Sequence, residues 1–205
     1  PRSTLFPYTT LFRSYLFDHE ISLKLNKEKP GSGSTTHMSI IDSQGNAASV
    51  TTTNGEGCGY IIPGTGIMMN NILGEEDLNP DGFHNWETTK RMSTMMSPTI
   101  VIGDSGPELV LGSGGSNRIR SAIKQVILNK FSNNMNLEEA IKAPRIHLEE
   151  NIIHCEPGIN TDKLNFSWST IHHWHEKNLF FGGVNAVTPT NAVGDLRRSG
   201  YGLVR

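Results

Sequence analysis

The sequence predicts an α+β layer protein, on three observations. MSIIDSQGNAASVTTT (residues 38–53) carries two β-prone runs around Ser43-Gln44-Gly45-Asn46, and SPTIVIGDSGPELVLGSGG (97–115) repeats the design around a Gly-Asp-Ser-Gly turn. Both are signatures of antiparallel hairpins. SNRIRSAIKQVILNKF (116–131) then sets Ile119, Ile123, Val126 and Ile127 at helical spacing. Finally, 21 glycines and 10 prolines point to tight turns and close backbone approaches, as sheet layers with loop-built sites require.

In chain order, residues 15–29 (YLFDHEISLKLNKEK) read as the end of a helix running into a tail, which Pro30 and Gly31-Ser32-Gly33-Ser34 break. The first hairpin follows, then a glycine-punctuated loop (54–66), a short mixed stretch (67–78) and a loop around Asn79-Pro80-Asp81-Gly82. After the second hairpin, Ser116 is the expected N-cap of the first helix. A second helix is expected from near Asn136 to just before Pro144. RIHLEENIIHCEPG reads as another hairpin, and the tail from Phe180 as strand, turn and strand.

Composition narrows the function. With 36% hydrophobic residues and a net charge of −2 over 205 residues, the chain can bury one sizeable core without a large electrostatic bias, which disfavours nucleic-acid or membrane-surface partners. No run reaches the roughly 18 apolar residues of a membrane span. Cys58 and Cys155 read as two buried thiols rather than a pair. Residues 4–14 (TLFPYTTLFRS) match the translation of a common sequencing adapter. Residues 1–14 are therefore set aside as an assembly artefact, with 15–34 and 35–205 as the natural segments.

Three clusters could carry chemistry. Cleavage before Thr35 would free an α-amine able to act as general base for the threonine's own hydroxyl, and the flexible GSGS before it would let the released tail leave; the plain alternative is a solvated linker. Gly114 and Gly115, just before a helix, can aim bare N–H groups at one point, as an oxyanion hole requires. A phosphate-cradling loop is the rival, but no Lys-Ser/Thr follows. The acidic run Glu75, Glu76, Asp77 is either a solvated turn or a binder of a substrate ammonium group. His172, His173 and His175 lack HExxH spacing, so a solvated helix face or partial aromatic packing is expected there rather than a metal site.

Taken in order, TTH at a strand start, Ser39 and Asp42, GNA, TTTN, PGTGIMMNN, SPTIV, GSGGSNRI and APRIH resemble the small subunit of γ-glutamyltranspeptidases, over residues 15–205. The resemblance implies an αββα sandwich of N-terminal-nucleophile hydrolase type, incomplete here because most of the large subunit lies upstream. It also implies a proenzyme that cuts itself between Ser34 and Thr35, with 15–34 ending the large subunit. Thr35 is then the nucleophile of cleavage and catalysis, and Thr53 supports its hydroxyl. Gly114 and Gly115 form the oxyanion hole. Asn54, Glu76 and above all Asp77 bind substrate, with Ser93 and Thr94 near its carboxylate. The implied activity is γ-glutamyl transfer or hydrolysis, as a glutathione hydrolase, with an amino acid, peptide or water as acceptor. No metal or organic cofactor is implied, and the implied location is periplasmic or extracellular.

The chain departs from the family where two serines usually precede the SP motif. RMSTMMSP places Thr94 and Met95 there, and the Thr53-Asn54 spacing is compressed. Two other readings stay open: an amide hydrolase of another acyl group, such as a glutaryl or β-lactam acylase, and an uncleaved, inactive binding module.

Overall fold

A computed structural model describes residues 35–55, 58–75, 78–162, 164 and 167–205. The expectations for residues 1–34, including the Ser34-Thr35 bond, and for Glu76 and Asp77 lie outside these. The chain divides into two compact units, one holding Thr53–Ser93, the other Thr35–Thr52 and Thr94–Arg205.

The second unit contains the strands. β1 (Thr36–Ile41) pairs antiparallel with β2 (Ala47–Thr52). The turn between them is closed by the Asp42 carboxylate, which accepts from the N–H groups of Gln44 (2.8 Å) and Asn46 (2.9 Å). β3 (Thr99–Gly103) and β4 (Gly106–Gly114) form the second hairpin, and β4 also pairs antiparallel with β8 (Gly183–Val187), which pairs with β9 (Ala192–Val193). The four-stranded sheet thus runs β3-β4-β8-β9.

Strand β4 is the centre of the unit because both its faces are covered. Leu109, Val110 and Leu111 are each 0% exposed. Helix α1 (Arg118–Phe131) lays Ile119, Ala122, Ile123 and Val126 on one side. The β1–β2 hairpin packs against the other side, where the Ser49 hydroxyl donates to the Leu111 carbonyl at 3.1 Å. The unit is therefore layered as helix, sheet and second sheet. The alternation of β1 and β2 is inverted relative to a lone surface hairpin. Small and polar residues (His37, Ser39, Ser49, Thr51) face the sheet, whereas Met38, Ile40 and Val50 are 56%, 55% and 43% exposed on the outside.

The first helix begins at Arg118, with Asn117 at the N-cap and no side-chain cap bond. The expectation of Ser116 as cap is corrected: Gly115 (φ +128°) and Ser116 (φ +50°) both take positive φ to turn the chain out of β4. Helix α2 (Leu137–Lys142) starts as expected. The Asn136 side chain accepts from Glu139 N–H while the Glu139 carboxylate accepts from Asn136 N–H, a capping box. β5 (Ile146–Glu149) and β6 (Ile152–Cys155) form the expected third hairpin, and β7 (Thr170–His173) joins β6 in parallel. His172 and His173 are therefore on a strand and not on a helix. His172 packs edge-on against His154 and Trp174, whose indole stacks on Phe180 at 4.9 Å. Among the described residues no three His, Cys, Asp or Glu side chains are grouped to hold a metal, and no helix is long and apolar enough to cross a membrane.

The first unit is mostly turns. Ile61 bridges Met68 across the Pro63-Gly64-Thr65-Gly66 turn, the Cys58 thiol donates to the Met69 carbonyl (3.0 Å), and a 3₁₀ turn spans Ile72–Gly74. The Asn79 side-chain amide donates to the Leu73 (2.9 Å) and Glu75 (2.7 Å) carbonyls, and its oxygen accepts from the Trp86 indole (2.8 Å). Cys58 and Cys155 are free and buried.

Candidate active site

Thr35 is the residue immediately before β1 and is half-buried. Its position is fixed by what β1 packs on. Two residues further, the His37 ring lies flat on Gly112 of β4: a methyl group on Gly112 would come within 2.2 Å of the ring. One register step along, a methyl on Gly114 would come within 2.7 Å of the Thr35 carbonyl oxygen, and one on Gly115 within 2.9 Å of the Gly182 backbone. A Cβ at any of these three positions requires a backbone or a ring to move, so the alternate glycines of GSGG are what allow Thr35 to lie against the end of β4.

His37 is the hub that holds this approach. Its ring is hydrogen-bonded to the Thr51 hydroxyl through Nδ1 (2.7 Å) and to the Ser39 hydroxyl through Nε2 (2.8 Å). The Ser39 hydroxyl donates its one proton to the Asn185 carbonyl (3.2 Å). Nε2 must then be the protonated nitrogen and Nδ1 the acceptor from Thr51. Burial lowers the His37 pKa to about 4, so the ring is neutral at ordinary pH. Asn185 completes the clasp by donating its side-chain amide to the His37 carbonyl (3.1 Å) and accepting from Asp195 N–H (3.2 Å).

Behind β8, four charged side chains are buried together. Arg145 pairs with Asp195 (2.6 Å), and Arg197 forks onto Glu156 (2.7 and 2.5 Å) while touching Asp195 (3.2 Å). The two cations balance the two anions. Nη donors of both arginines also reach the Ile141, Ala143 and Phe181 carbonyls, Arg145 Nε is buried without a hydrogen-bond partner, and Asp195 also accepts from Val184 N–H (3.0 Å). Burial pulls the Arg197 pKa down, but the bonds to Glu156 and the charge of Asp195 win and hold it above its usual value. The cluster ties the C-terminal segment to β5, β6 and β8, and so steadies the strand that carries Asn185.

The other sequence candidates are placed as follows. Thr53 and Asn54 lie in the first unit. The Thr53 hydroxyl accepts from Gly55 N–H (3.0 Å), its carbonyl accepts from the Asn70 amide (2.6 Å), and the exposed Asn54 accepts from Asn71 N–H through its carbonyl (3.2 Å). Ser93 ends that unit and is exposed. Thr94 opens the second unit's return, exposed, its hydroxyl accepting from Met96 N–H (3.2 Å), while Met95 beside it is 8% exposed. Sequence reasoning assigned no role to His37, Gly112, Asn185 or the ionic cluster. His37 and Gly112 lay inside the quoted TTH and GSGG runs, and Arg145 inside APRIH; the Arg197-Arg198 doublet gave no signal.

A helix layer, a sheet and a second sheet whose first strand starts at the glycine end of β4 is the layering of the N-terminal-nucleophile hydrolases. The chain belongs to the gamma-glutamyltranspeptidase family, whose family model matches residues 11–204. It is 32% identical over 159 residues to the glutathione hydrolase proenzyme of Bacillus subtilis (strain 168), covering 76% of this chain and 27% of that protein. It is also 32% identical over 158 residues to the acylase ACY 1 proenzyme of Pseudomonas sp. (strain SE83), covering 76% and 28%. The chain therefore spans little more than a quarter of these relatives. Among solved structures it is similar to the gamma-glutamyltranspeptidase from Pseudomonas nitroreducens complexed with L-DON, with 29% identity and a TM-score of 0.71, covering 83% of this chain and 99% of that one.

Proposed function

We propose that the chain is the nucleophile-bearing part of a γ-glutamyl transferase or glutathione hydrolase that acts through a threonyl acyl-enzyme. The observation that carries this is the seat of Thr35 against Gly114, so close that a Cβ on the glycine would strike the Thr35 carbonyl, in a member of this family. The precursor cuts itself before Thr35. The freed α-amine takes the proton of the Thr35 hydroxyl as its oxygen attacks the γ-glutamyl carbonyl carbon, and the oxyanion rests on the N–H groups of Gly114 and Gly115. Collapse expels the amine, which leaves with that proton, and the acyl group stays on Thr35 as an ester. Water or an acceptor amine then attacks the ester and regenerates the hydroxyl.

Thr53 supports the hydroxyl and Asn54 the substrate; Asp77, with Glu76, holds the substrate ammonium, and Ser93 and Thr94 its carboxylate. The partner is the upstream part of the same precursor. Two facts support it: the curated relatives are named proenzymes and are about four times the matched length, and the outer face of the β1–β2 hairpin presents Met38, Ile40 and Val50 with nothing over them among the described residues.

A second reading is favoured by two observations, the equal identity to an acylase proenzyme and the buried Met95 where a serine donor is expected. A substrate panel separates them. Release of anilide from γ-glutamyl-p-nitroanilide and not from glutaryl-p-nitroanilide supports the transferase; the reverse supports the acylase.

A further inference from the structure

Arg197 and Arg198 are consecutive, yet their side chains go to opposite neighbourhoods. Arg197 is spent in the buried ionic cluster. Arg198 runs the other way across β8: its Cβ, Cγ and Cδ lie within 2.7–2.8 Å of where a methyl on Gly183 would stand. The stem thus fills the space that the absent side chain leaves. Its guanidinium ends against the glycine pair, Nη1 at 3.4 Å from a Gly114 methyl position and Nη2 at 3.5 Å from that of Gly115. The Thr35 carbonyl approaches that same Gly114 point. Nη2 donates to the Leu179 carbonyl (3.3 Å), Nε is enclosed without a hydrogen-bond partner, and no carboxylate among the described residues forms an ion pair with this arginine. Asp195, the acid whose charge acts on Arg198, is already held by Arg145 and Arg197.

An arginine that no described carboxylate pairs with, directed at a backbone turn, has two effects. Its stem and plane limit how far Gly114 and Gly115 can shift, and its charge raises the potential at the point they enclose. We propose that Arg198 is a positioning residue of the acyl-transfer site, which braces the Gly114-Gly115 turn and sets a fixed positive charge beside Thr35. The proposal rests on Thr35 being the nucleophile. The other charges around this end are compensated: Arg118 is paired with Glu149 (3.2 Å), Asp195 is taken up as above, and His37 is neutral.

The charge has a sign that can be read. A cation beside an ammonium disfavours the protonated form, so it lets the Thr35 α-amine act as base at lower pH. The test uses the full precursor with its natural upstream region, in native, Arg198→Met, Arg198→Gln and Arg198→Lys forms. The readouts are intact mass, near-ultraviolet circular dichroism, and kcat, KM and the pH profile on the preferred anilide. Arg198→Met should lose about tenfold or more in kcat, with KM changed less than about threefold. Its acid limb of kcat/KM should move to higher pH, and Arg198→Lys should restore the limb. Arg198→Gln keeps a donor for the Leu179 carbonyl and should behave as Arg198→Met, so that loss of the hydrogen bond cannot stand in for loss of charge; rescue by Arg198→Lys separates charge from the shape of the guanidinium. Native kcat and a native acid limb in the uncharged variants overturn the proposal; so does an equal loss in all three variants without a shift of the limb. If the native precursor stays uncut and inactive, the nucleophile reading has failed and Arg198 falls with it. A cut, active native enzyme with unaffected variants sinks this proposal alone.

Discussion

The surroundings of Arg197 and those of Thr35 are built on opposite rules, although one turn, Asp195 to Arg198, serves both. Around Arg197 two cations and two anions are buried at 0–3% exposure and every carboxylate is multiply bonded. Around Thr35 there are three glycines, a neutral imidazole clasped by two hydroxyls, and one guanidinium. The first region resists loss of a partner, since a buried charge left alone is costly. The second resists gain of volume, since its glycines have no room for a Cβ. Stability should therefore respond most to deletions in one place and to additions in the other.

The largest stability effect should come from Arg197→Met, which strands Glu156 and half of Asp195. It should cost about 3–5 kcal/mol, seen as a drop in the urea midpoint of the protein. A loss below about 1 kcal/mol would mean the cluster is not a unit. Next is Gly112→Ala, which forces the His37 ring off β4. It should cost about 1–3 kcal/mol in the same measurement, together with slower self-cleavage, because β1 carries Thr35. If Gly112→Ala cleaves at the native rate, His37 does not set the position of Thr35.

Legibility in the sequence divides along the same line. The three hairpins, the 116–131 helix and the start of the second helix near Asn136 were readable because each is a local pattern with its own period or turn chemistry. Thr35 and the glycine pair stand out in the sequence because the proposed chemistry constrains residue type there, and the structure brings the Thr35 carbonyl against Gly114. The Arg145-Asp195-Arg197-Glu156 cluster was not, because its members lie up to 52 positions apart and only tertiary folding joins them. The β7 segment looked helical because four residues are too few to show a period, and its parallel pairing with β6 has no local signature. Ser116 was misread as a cap because the turn out of β4 consumes two positive-φ residues before the helix can begin.

A pH dependence should follow from His37. Burial holds its folded pKa near 4, against about 6.5 unfolded, so the unfolded chain takes up the proton first as pH falls. The stability from the neutral ring is whole above about pH 6.5 and declines toward pH 4, by on the order of 2–3 kcal/mol. His147 and His154, also held down chiefly by burial, add to the decline. Melting temperatures of the native protein and of His37→Gln across this range should show a shallower slope in the variant; parallel slopes would remove His37 as a contributor. The smallest effect should be Ile40→Ser on the outer face of β1. It should change this chain's own stability by less than about 0.5 kcal/mol but weaken its association with the upstream part, read by gel filtration of the separated chains.

The measurement closest to the centre of the account is intact mass with N-terminal sequencing of the full precursor, native and Thr35→Ala, recovered with its natural upstream region. The account predicts two chains from the native protein, the smaller beginning Thr-Thr-His-Met, and one uncut chain from the variant. A native protein that stays in one piece, or a variant that is cut at the same bond, would contradict it, because Thr35 would then have no free amine or no part in making one.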